Sequence, residues 1–304
     1  MSPSWRLRLV AVWCRRVQMP LLRRPRNIAA ARARVRILSL VFLRGRRRSS
    51  YRTEARGGVP CRVLQGGPDT LFLVHGGAFA LFSARTHQGV AARLAGAAGM
   101  TAVLPEYRLA PEHGFPCALD DVCTAYLATY LATLGRGRIV LAGDSAGGNL
   151  IFALLHRLIA RGLPLPAAVV AFSPFVDLAL TGESFVTNAG TEALLPASRF
   201  PEVVAGYAGA ADPADPEISP VYGTFTGAPP CLIQVGDGEL LLSDAVALAE
   251  RLRAQGAPVT LDILPGGLHA FQLLTGWLPE ADAALDRARR FIRQRLREDR
   301  ASGS

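Results

Sequence analysis

Lysine is absent from the sequence, and all 34 basic residues are arginine. A P-loop needs a lysine at the nucleotide phosphates, a protein kinase needs one on a strand, and a pyridoxal enzyme needs one for its Schiff base. These three enzyme classes are therefore excluded. Half of the 304 residues are hydrophobic and 19% are charged, so the chain can bury the core of one large domain.

Acidic residues are absent from the first 53 positions, whereas residues 1–50 hold 14 of the 34 arginines. The net charge of +10 is therefore concentrated at the N-terminus, and the rest of the chain is weakly acidic. We expect two or three helical pieces here, broken at Pro20 and Pro25. We interpret them as a cap whose arginine stems cover apolar surface. A second interpretation is a tether that contacts anionic membranes, whereas a nucleic-acid partner is not expected.

Cysteine is scarce, and long apolar runs are missing. The five cysteines form an odd number without a C-x-x-C pair, which argues against a disulfide framework or a zinc site and favours a reducing, cytoplasmic location. No apolar run reaches the roughly 18 residues of a membrane span. Arg15 and Arg16 interrupt the apolar stretch near the N-terminus, which fits a signal peptide poorly.

Beyond residue 51, short β-rich runs alternate with helical stretches. Near-continuous apolar strands between helices predict an α/β fold, with a mostly parallel central sheet flanked by helices. Residues 178–228 lack strand signals, and an insertion of that size often forms a lid. The strands are predicted at 61–64, 70–75, 101–105, 138–142, 167–172, 231–235 and 259–264, and the helices near 86–98, 117–134, 147–160, 241–255 and 280–297.

The strongest chemical signal is a G-x-S-x-G motif formed by Gly143, Ser145 and Gly147. An apolar strand precedes it and an apolar helix follows, which is the context of a nucleophile elbow. This sharp turn lifts the Ser145 hydroxyl above the sheet edge. The helix N-terminus behind it offers N–H groups to a developing oxyanion.

A second strand, 70 residues earlier, ends in His75-Gly76-Gly77-Ala78. Acyl transfer on this scaffold needs N–H donors from the loop after an early strand. Glycines permit the close backbone approach that a carbonyl oxygen requires. This loop is therefore predicted to complete the oxyanion site.

His269 is the predicted general base, because it follows the last strand and can reach the serine from the carboxyl ends of the strands. The other four histidines have ordinary structural interpretations. They are His75 in the glycine loop, His87 and His156 in helical stretches, and His113 in a proline-flanked loop.

The base needs an acid that orients the imidazole and stabilises its charged form. This acid should follow the penultimate strand, where Asp237, Glu239 and Asp244 are candidates. Asp244 falls at the start of the next helix. The residues themselves do not decide between Asp237 and Glu239.

Together these motifs resemble the bacterial hormone-sensitive-lipase-like esterases of the α/β-hydrolase fold, over residues 71–271. The order serine, acid, histidine along the chain is also that of the α/β hydrolases. The motifs that carry the resemblance are His75-Gly-Gly-Ala78, Glu106-Tyr-Arg-Leu-Ala-Pro-Glu112 and Gly143-Asp-Ser-Ala-Gly-Gly148, with the acid and histidine segments.

The resemblance implies a serine hydrolase that cleaves carboxylic esters of short-to-medium acyl chain through an acyl-enzyme, without metal or organic cofactor. It implies a helical cap over residues 1–50, a catalytic domain over 51–300 and a cap insertion near 180–210. Counting back about thirty residues from His269, as in the family, selects Glu239, where the family usually has Asp. Asp237 remains the second choice. The implied oxyanion donors are Gly76, Gly77, Ala78 and Ala146, with Ala78 where the family often has a third glycine.

Other functions remain open at this stage. The same triad can remove acetyl groups from a small metabolite or open a lactone. A non-enzyme alternative is a hydrolase-fold ligand receptor, as the plant gibberellin receptors are. Homodimers through an edge strand or the final helix are common in the family, but nothing in this sequence indicates one.

Overall fold

Apolar, β-branched runs of five to eight residues build the centre of the molecule. The computed structural model describes residues 3–23, 27–42, 50–96 and 98–302. Eight strands form one sheet in the order β1-β2-β4-β3-β5-β6-β7-β8. They are β1 Arg52–Arg56, β2 Val59–Leu64, β3 Gly67–Val74, β4 Met100–Pro105, β5 Ile139–Asp144, β6 Ala168–Phe172, β7 Cys231–Gly236 and β8 Val259–Leu264.

The sheet is mostly parallel, as predicted. β2 pairs antiparallel with β1 and with β4, and every other neighbouring pair is parallel. All seven predicted strands are present. The eighth, β1, escaped prediction because Arg-Thr-Glu-Ala-Arg has no apolar alternation. It is an edge strand in which Arg52, Thr53 and Ala55 are exposed.

The five predicted helices are present. Four agree with the prediction to within about two residues at each end, whereas the last runs five residues beyond its predicted end. Further helices lie in the N-terminal segment and between β6 and β7. The helices are α1 Trp5–Trp13, α2 Met19–Arg23, α3 Ile28–Phe42, α4 Gln88–Gly96, α5 Cys117–Thr133, α6 Ala146–Ala160, α7 Ser184–Thr187, α8 Phe200–Ala208, α9 Leu242–Ala254 and α10 Pro279–Ser302. Within the described ranges, none is long and apolar enough to cross a bilayer.

Helices cover both faces of the sheet. The apolar sides of α5, α6 and α9 pack on one face, and those of α4 and α10 pack on the other. In α10 this side consists of Leu285, Ala288, Ile292 and Leu296, spaced by three or four residues. This packing holds the sheet rigid, so the loops at its carboxyl edge have fixed starting points.

The N-terminal helical run does not break at Pro20, contrary to the prediction. A π-helical turn, Cys14–Gln18, joins α1 to α2, and the Met19 N–H reaches the Cys14 carbonyl. The wider turn accommodates a proline ring that would clash with a regular helix. Pro25, the other predicted break, lies outside the described residues.

Candidate active site

Parallel strands bring the candidate residues to one edge of the sheet. Ser145 follows β5, Glu239 follows β7 and His269 follows β8, while the glycine loop beginning at Gly76 follows β3. The carboxyl ends of these four parallel strands meet at the same edge, where ligands of open α/β sheets bind. The topology therefore gathers residues that are up to 193 positions apart in sequence.

Ser145 has a strained backbone at the turn between β5 and α6, with φ of 51° and ψ of −120°. Few non-glycine residues adopt a positive φ, and such strain clusters at functional sites. Two glycines make the tight turn feasible. A Cβ on Gly147 would lie 2.2 Å from the Val74 carbonyl oxygen, and one on Gly143 would lie 2.5 Å from that of Gly147. Ser145 is partly exposed, whereas its neighbours are buried.

The end of β6 anchors this turn. The Ser145 N–H donates to the Phe172 carbonyl at 2.9 Å, and the Ser145 carbonyl accepts from the Phe175 N–H at 3.1 Å. Ser145 is thus fixed through its backbone, which leaves its hydroxyl to chemistry.

The glycine loop after β3 is held in left-handed backbone conformations. Gly77 has φ of 108° and Ala78 has φ of 54°. The Gly77 carbonyl accepts from the Leu81 N–H at 2.7 Å, which closes the loop into a compact turn. The N–H groups of Gly77 and Ala78 donate to no backbone or side-chain acceptor within the described residues. They can therefore serve a ligand.

Gly76 differs from its neighbours, because its N–H donates to Asp144 Oδ1 at 3.1 Å. A Cβ on Gly76 would lie 2.4 Å from Asp144 Oδ2, so only glycine fits this contact. Since this N–H is engaged inside the protein, we remove Gly76 from the expected oxyanion donors. Gly77, Ala78 and Ala146 remain, and Ala146 is the first residue of α6, where helix N–H groups lack internal partners.

Asp144 is a buried carboxylate that joins the glycine loop to the serine turn. His87 Nε2 lies 2.9 Å from its Oδ1, and Thr86 Oγ1 lies 2.8 Å from His87 Nδ1. Burial by itself would raise the pKa of Asp144, but the surrounding histidines, His87 foremost, outweigh it and lower the pKa. The carboxylate thus stays charged and keeps its hold on Gly76. His87, expected to be an ordinary helical residue, is fully buried in this network.

His75 takes the structural part expected of it. Its ring is buried and stacks on Tyr107, with centroids 4.3 Å apart. The Tyr107 hydroxyl donates to the His75 carbonyl at 2.8 Å. Burial, with a smaller contribution from His87, lowers the pKa of His75 to about 3, so the ring is neutral.

His269 and Glu239 form a buried pair, in which Nδ1 of the imidazole lies 2.9 Å from Glu239 Oε2. The other carboxylate oxygen, Oε1, accepts from the Gly236 N–H at 2.6 Å and from the Ser173 hydroxyl at 2.8 Å. Three donors therefore orient this carboxylate. Asp237 is exposed, and its Oδ1 accepts from the Gly266 N–H at 2.8 Å. Of the two candidate acids, Glu239 is the one that contacts the histidine.

The pKa of His269 reflects two opposing effects. Burial lowers it, but the hydrogen bond and charge of Glu239, with smaller contributions from two other carboxylates, raise it above its ordinary value of 6.5. Glu239 therefore stabilises the imidazolium form. This is the electrostatic arrangement that a general base next to a serine requires.

The serine and the histidine are linked through β6. Within the described ranges no hydrogen bond joins the Ser145 hydroxyl to His269. Such bonds are often long before substrate binds. Phe172 holds the Ser145 backbone, and the next residue, Ser173, accepts from the Ala270 N–H at 3.2 Å. Two consecutive residues thus fix both sides of the site.

Two residues of the site were not predicted from the sequence. Ser173, with φ of 46°, supports Glu239. Glu192 is buried between the predicted insertion and the acid loop, where it accepts from the N–H groups of Leu194 at 2.7 Å and Leu240 at 3.1 Å. Neither residue belongs to a motif. For Glu192, the one available signal was that it is a carboxylate within an otherwise apolar stretch.

Asp244, the third acid candidate, lies in the first turn of α9, as expected. Its Oδ2 accepts from the N–H groups of Val176 at 2.8 Å and Asp177 at 2.9 Å. Burial raises its pKa to about 8. It stabilises the chain after β6 and makes no contact with His269 among the described hydrogen bonds.

Comparison with known proteins assigns the family. The model of a family described by its alpha/beta hydrolase fold matches residues 71–273, two thirds of the chain. The chain belongs to the α/β-hydrolase fold family. A solved structure of an esterase from the bacterial hormone-sensitive lipase family superposes on this hydrolase with a TM-score of 0.89 at 34% identity, covering 97% of this chain and 100% of the other.

Two curated relatives of this hydrolase are also enzymes of ester cleavage. An acetyl-hydrolase of Streptomyces hygroscopicus is 40% identical over 74% of this chain and 75% of the relative. An esterase of Acinetobacter venetianus is 35% identical over 71% of both chains. The hydrolase is thus a carboxylic ester hydrolase of the hormone-sensitive-lipase-like group.

Proposed function

We propose that this hydrolase cleaves carboxylic esters with Ser145 as nucleophile, His269 as general base and Glu239 as the orienting acid. The observation that supports this assignment best is the buried Glu239–His269 pair at 2.9 Å, at the sheet edge where the strained turn presents Ser145. Asp237 has no part in it. The esters are small molecules of short-to-medium acyl chain.

The hydrogen bonding of His269 sets the direction of proton transfer. Because Nδ1–H donates to Glu239, the lone pair of Nε2 is available to take the Ser145 proton as the hydroxyl attacks the ester carbonyl. The alcohol then leaves with that proton, and the acyl group stays on Ser145 as an ester. Water, deprotonated by the same nitrogen, attacks the acyl-enzyme. The bond between the acyl carbon and Ser145 Oγ then breaks, Ser145 takes the proton back from Nε2, and the acid is released. No step in this cycle calls for a metal ion or an organic cofactor.

The negative charge that develops on the carbonyl oxygen needs fixed donors. The N–H groups of Gly77, Ala78 and Ala146 are suited to this, because they lie on the two loops that meet at Ser145. One strong donor of this kind contributes roughly 3–4 kcal/mol to the stability of the transition state. Ala78 supplies its N–H as the family's third glycine would, although its methyl group narrows the space above.

Residues 51–300 form the catalytic domain in this proposal, and residues 1–50 with the insertion near 180–210 form its cap. Two contacts support the cap. Leu7 of α1 packs in one cluster with Leu268, the residue before His269. Arg15 donates to the Thr191 carbonyl at 2.5 Å, which joins the N-terminal segment to the insertion.

Aromatic packing supports a short acyl site. Phe79, directly after Ala78, stacks on Tyr207 of α8 with centroids 3.7 Å apart and lies 6.4 Å from the ring of Phe175. Phe175 and Phe200 meet edge to face at 5.1 Å. These buried rings pack the glycine loop against the insertion, and in this proposal they form the wall that limits the acyl chain. Acetyl removal is therefore a second candidate activity, in line with the acetyl-hydrolase relative.

A series of p-nitrophenyl esters from acetate to palmitate, assayed with and without an active-serine phosphonate, tests the proposal. We expect the highest kcat/KM at acetate or butyrate and complete inhibition by the phosphonate, with the added mass on the peptide that contains Ser145. Labelling of another residue, or turnover that survives complete labelling, would overturn the assignment. A maximum at palmitate would overturn the short acyl site alone.

A further inference from the structure

Helix α1 is apolar on two opposite sides. Leu7 and Cys14 are buried against the body of the molecule, in a cluster with Leu268. On the opposite side, Trp5 is 67% exposed and Leu9 is 59% exposed, and Val12 continues the same stripe one turn further on. Burial of the inward side explains why this helix packs against the rest of the protein. The outward stripe needs another explanation, because contiguous exposed apolar surface marks an interaction site.

Tryptophan is concentrated at this surface. The chain has three tryptophans, and Trp5, Trp13 and Trp277 are all exposed. Trp277 precedes α10 and lies beside α1, because Arg6 Nη1 donates to its carbonyl oxygen at 3.5 Å. The Arg6 guanidinium also lies 5.5 Å from the Trp5 ring centroid. A large ring with one polar N–H is suited to a boundary between water and an apolar phase.

The charged residues of the N-terminal segment all have one sign, and the carboxylate that meets the start of α1, Glu280, accepts from the Ser4 N–H at 2.6 Å. Arg8 on α1 and Arg16 in the π-helical turn after it are exposed and make no salt bridge within the residues that the structure describes. No acidic residue precedes position 54. In the catalytic body, by contrast, several arginines, among them Arg108 and Arg287, pair with carboxylates. The apolar stripe is therefore bordered by cations that lack counterions of their own.

We propose that the outward face of α1, defined by Trp5, Leu9, Val12 and Trp13 together with the neighbouring Trp277, docks on the surface of an anionic lipid bilayer. The tryptophans and aliphatic side chains enter the interfacial region, and the bordering arginines meet lipid phosphates. Charge complementarity selects this occupant. A second copy of the chain would bring arginines against arginines, and a nucleic acid offers nothing to Leu9 and Val12.

This inference does not depend on the assignment of the triad. The outward stripe lies on the side of α1 opposite to Leu7, which packs near His269. Vesicle binding and hydrolysis of a water-soluble ester therefore report on separate surfaces, and failure of one does not entail failure of the other.

The first test is co-sedimentation of the full chain with vesicles of phosphatidylcholine alone or with about a third phosphatidylglycerol. We expect binding to the anionic vesicles in about 50 mM NaCl, at least tenfold weaker binding in about 500 mM NaCl, and little binding to neutral vesicles. Because all tryptophans are exposed, binding should also shift the intrinsic fluorescence to shorter wavelength. Equal binding to both vesicle types, or none, overturns the proposal.

Paired variants locate the surface. W5S/L9S should lower vesicle affinity at least tenfold, whereas L131S/L134S, at exposed leucines of the body, should leave it unchanged. R8Q/R16Q should lower affinity roughly tenfold and reduce its salt dependence, compared with R136Q/R253Q at exposed arginines elsewhere. All four variants should keep normal p-nitrophenyl acetate hydrolysis, which shows that they fold.

Two other results would also overturn the proposal. In the first, the purified chain is a dimer that W5S/L9S makes monomeric, without vesicle binding. In the second, the chain binds duplex DNA and R8Q/R16Q removes that binding, while anionic vesicles are ignored. Either result would assign the α1 face to another partner.

Discussion

The two sides of the active site are built differently. On the side of β3 and β5, the backbone does the positioning through left-handed residues, glycines without room for a Cβ, and the strained Ser145. On the side of β7 and β8, side chains do most of it, since Glu239 is fixed by the Ser173 hydroxyl and the Gly236 N–H and in turn holds His269. The nucleophile, whose hydroxyl must meet the carbonyl carbon of the ester, is thus held by the stiff backbone. The base, which must take up and release a proton, is held by side-chain hydrogen bonds that can adjust.

The largest expected effect is on the nucleophile. Ser145→Ala should lower kcat for p-nitrophenyl butyrate by about 10⁴-fold or more, because no covalent intermediate can form. Ser173→Ala is the matched control, since both serines have positive φ at the ends of neighbouring strands. It should cost only about ten- to a hundredfold, through weaker support of Glu239. Steady-state kinetics and circular dichroism check both. Similar losses of kcat for the two variants would contradict the assignment of Ser145 as nucleophile and Ser173 as support for Glu239.

Next in size is the acid. Glu239→Gln should lower kcat about 10²- to 10⁴-fold, because an amide neither stabilises the imidazolium nor enforces its tautomer. Asp237→Asn should stay within about threefold of the parent enzyme, as its carboxylate only supports the Gly266 N–H. The two variants differ from the parent by the same loss of one charge. If Asp237→Asn were the slower enzyme, the acid would have to be reassigned.

The pH profile of the same variant sharpens the result. The base works when neutral, so kcat/KM falls as pH drops through the pKa of His269, which lies above 6.5 in the parent protein. In Glu239→Gln the main cause of that elevation is gone while burial, which lowers the pKa, remains. The acidic limb should therefore move to lower pH. The profile is measured at saturating and subsaturating ester concentration. If the acidic limb of the variant stayed at the pH of the parent, a group other than His269 would be responsible for it.

The smallest expected change tests the backbone side through stability. Gly147→Ala places a methyl group 2.2 Å from the Val74 carbonyl oxygen, and we expect a loss of about 3 kcal/mol in the free energy of unfolding in urea. Gly206→Ala, also in a helix but with open space around its Cβ position, should be neutral or stabilise by up to about 1 kcal/mol. Equal effects would mean that close approach at Gly147 does not limit the turn.

The same contrast explains what could be predicted from the sequence. The backbone side has a local signature, because glycines and a serine at fixed spacing are visible in the printed sequence. The hydrophobic periodicity of the strands and helices was equally readable, down to the buried stripe of α10. The residues themselves did not decide between Glu239 and Asp237, because that choice depends on which side chain the β7 loop turns inward; only the spacing implied by the family resemblance selected Glu239.

Other features escaped prediction for separate physical reasons. β1 lacks apolar alternation because it is an exposed edge strand. The break expected at Pro20 is avoided by a π-helical turn, which no local propensity reveals. His87 had no motif around it, and its contact with Asp144 joins residues 57 positions apart. Contacts between polar side chains that are distant in sequence therefore cannot be predicted from local sequence patterns.

Strand β6 carries no reacting group, yet its last residue and the one after it support both sides of the catalytic centre. Phe172 and Ser173 therefore act as a spacer that sets how far the hydroxyl stands from the imidazole. Efforts to retune this enzyme for bulkier esters could begin at that spacer, because a small backbone shift there would change the alignment of the reacting atoms while every reacting atom is kept.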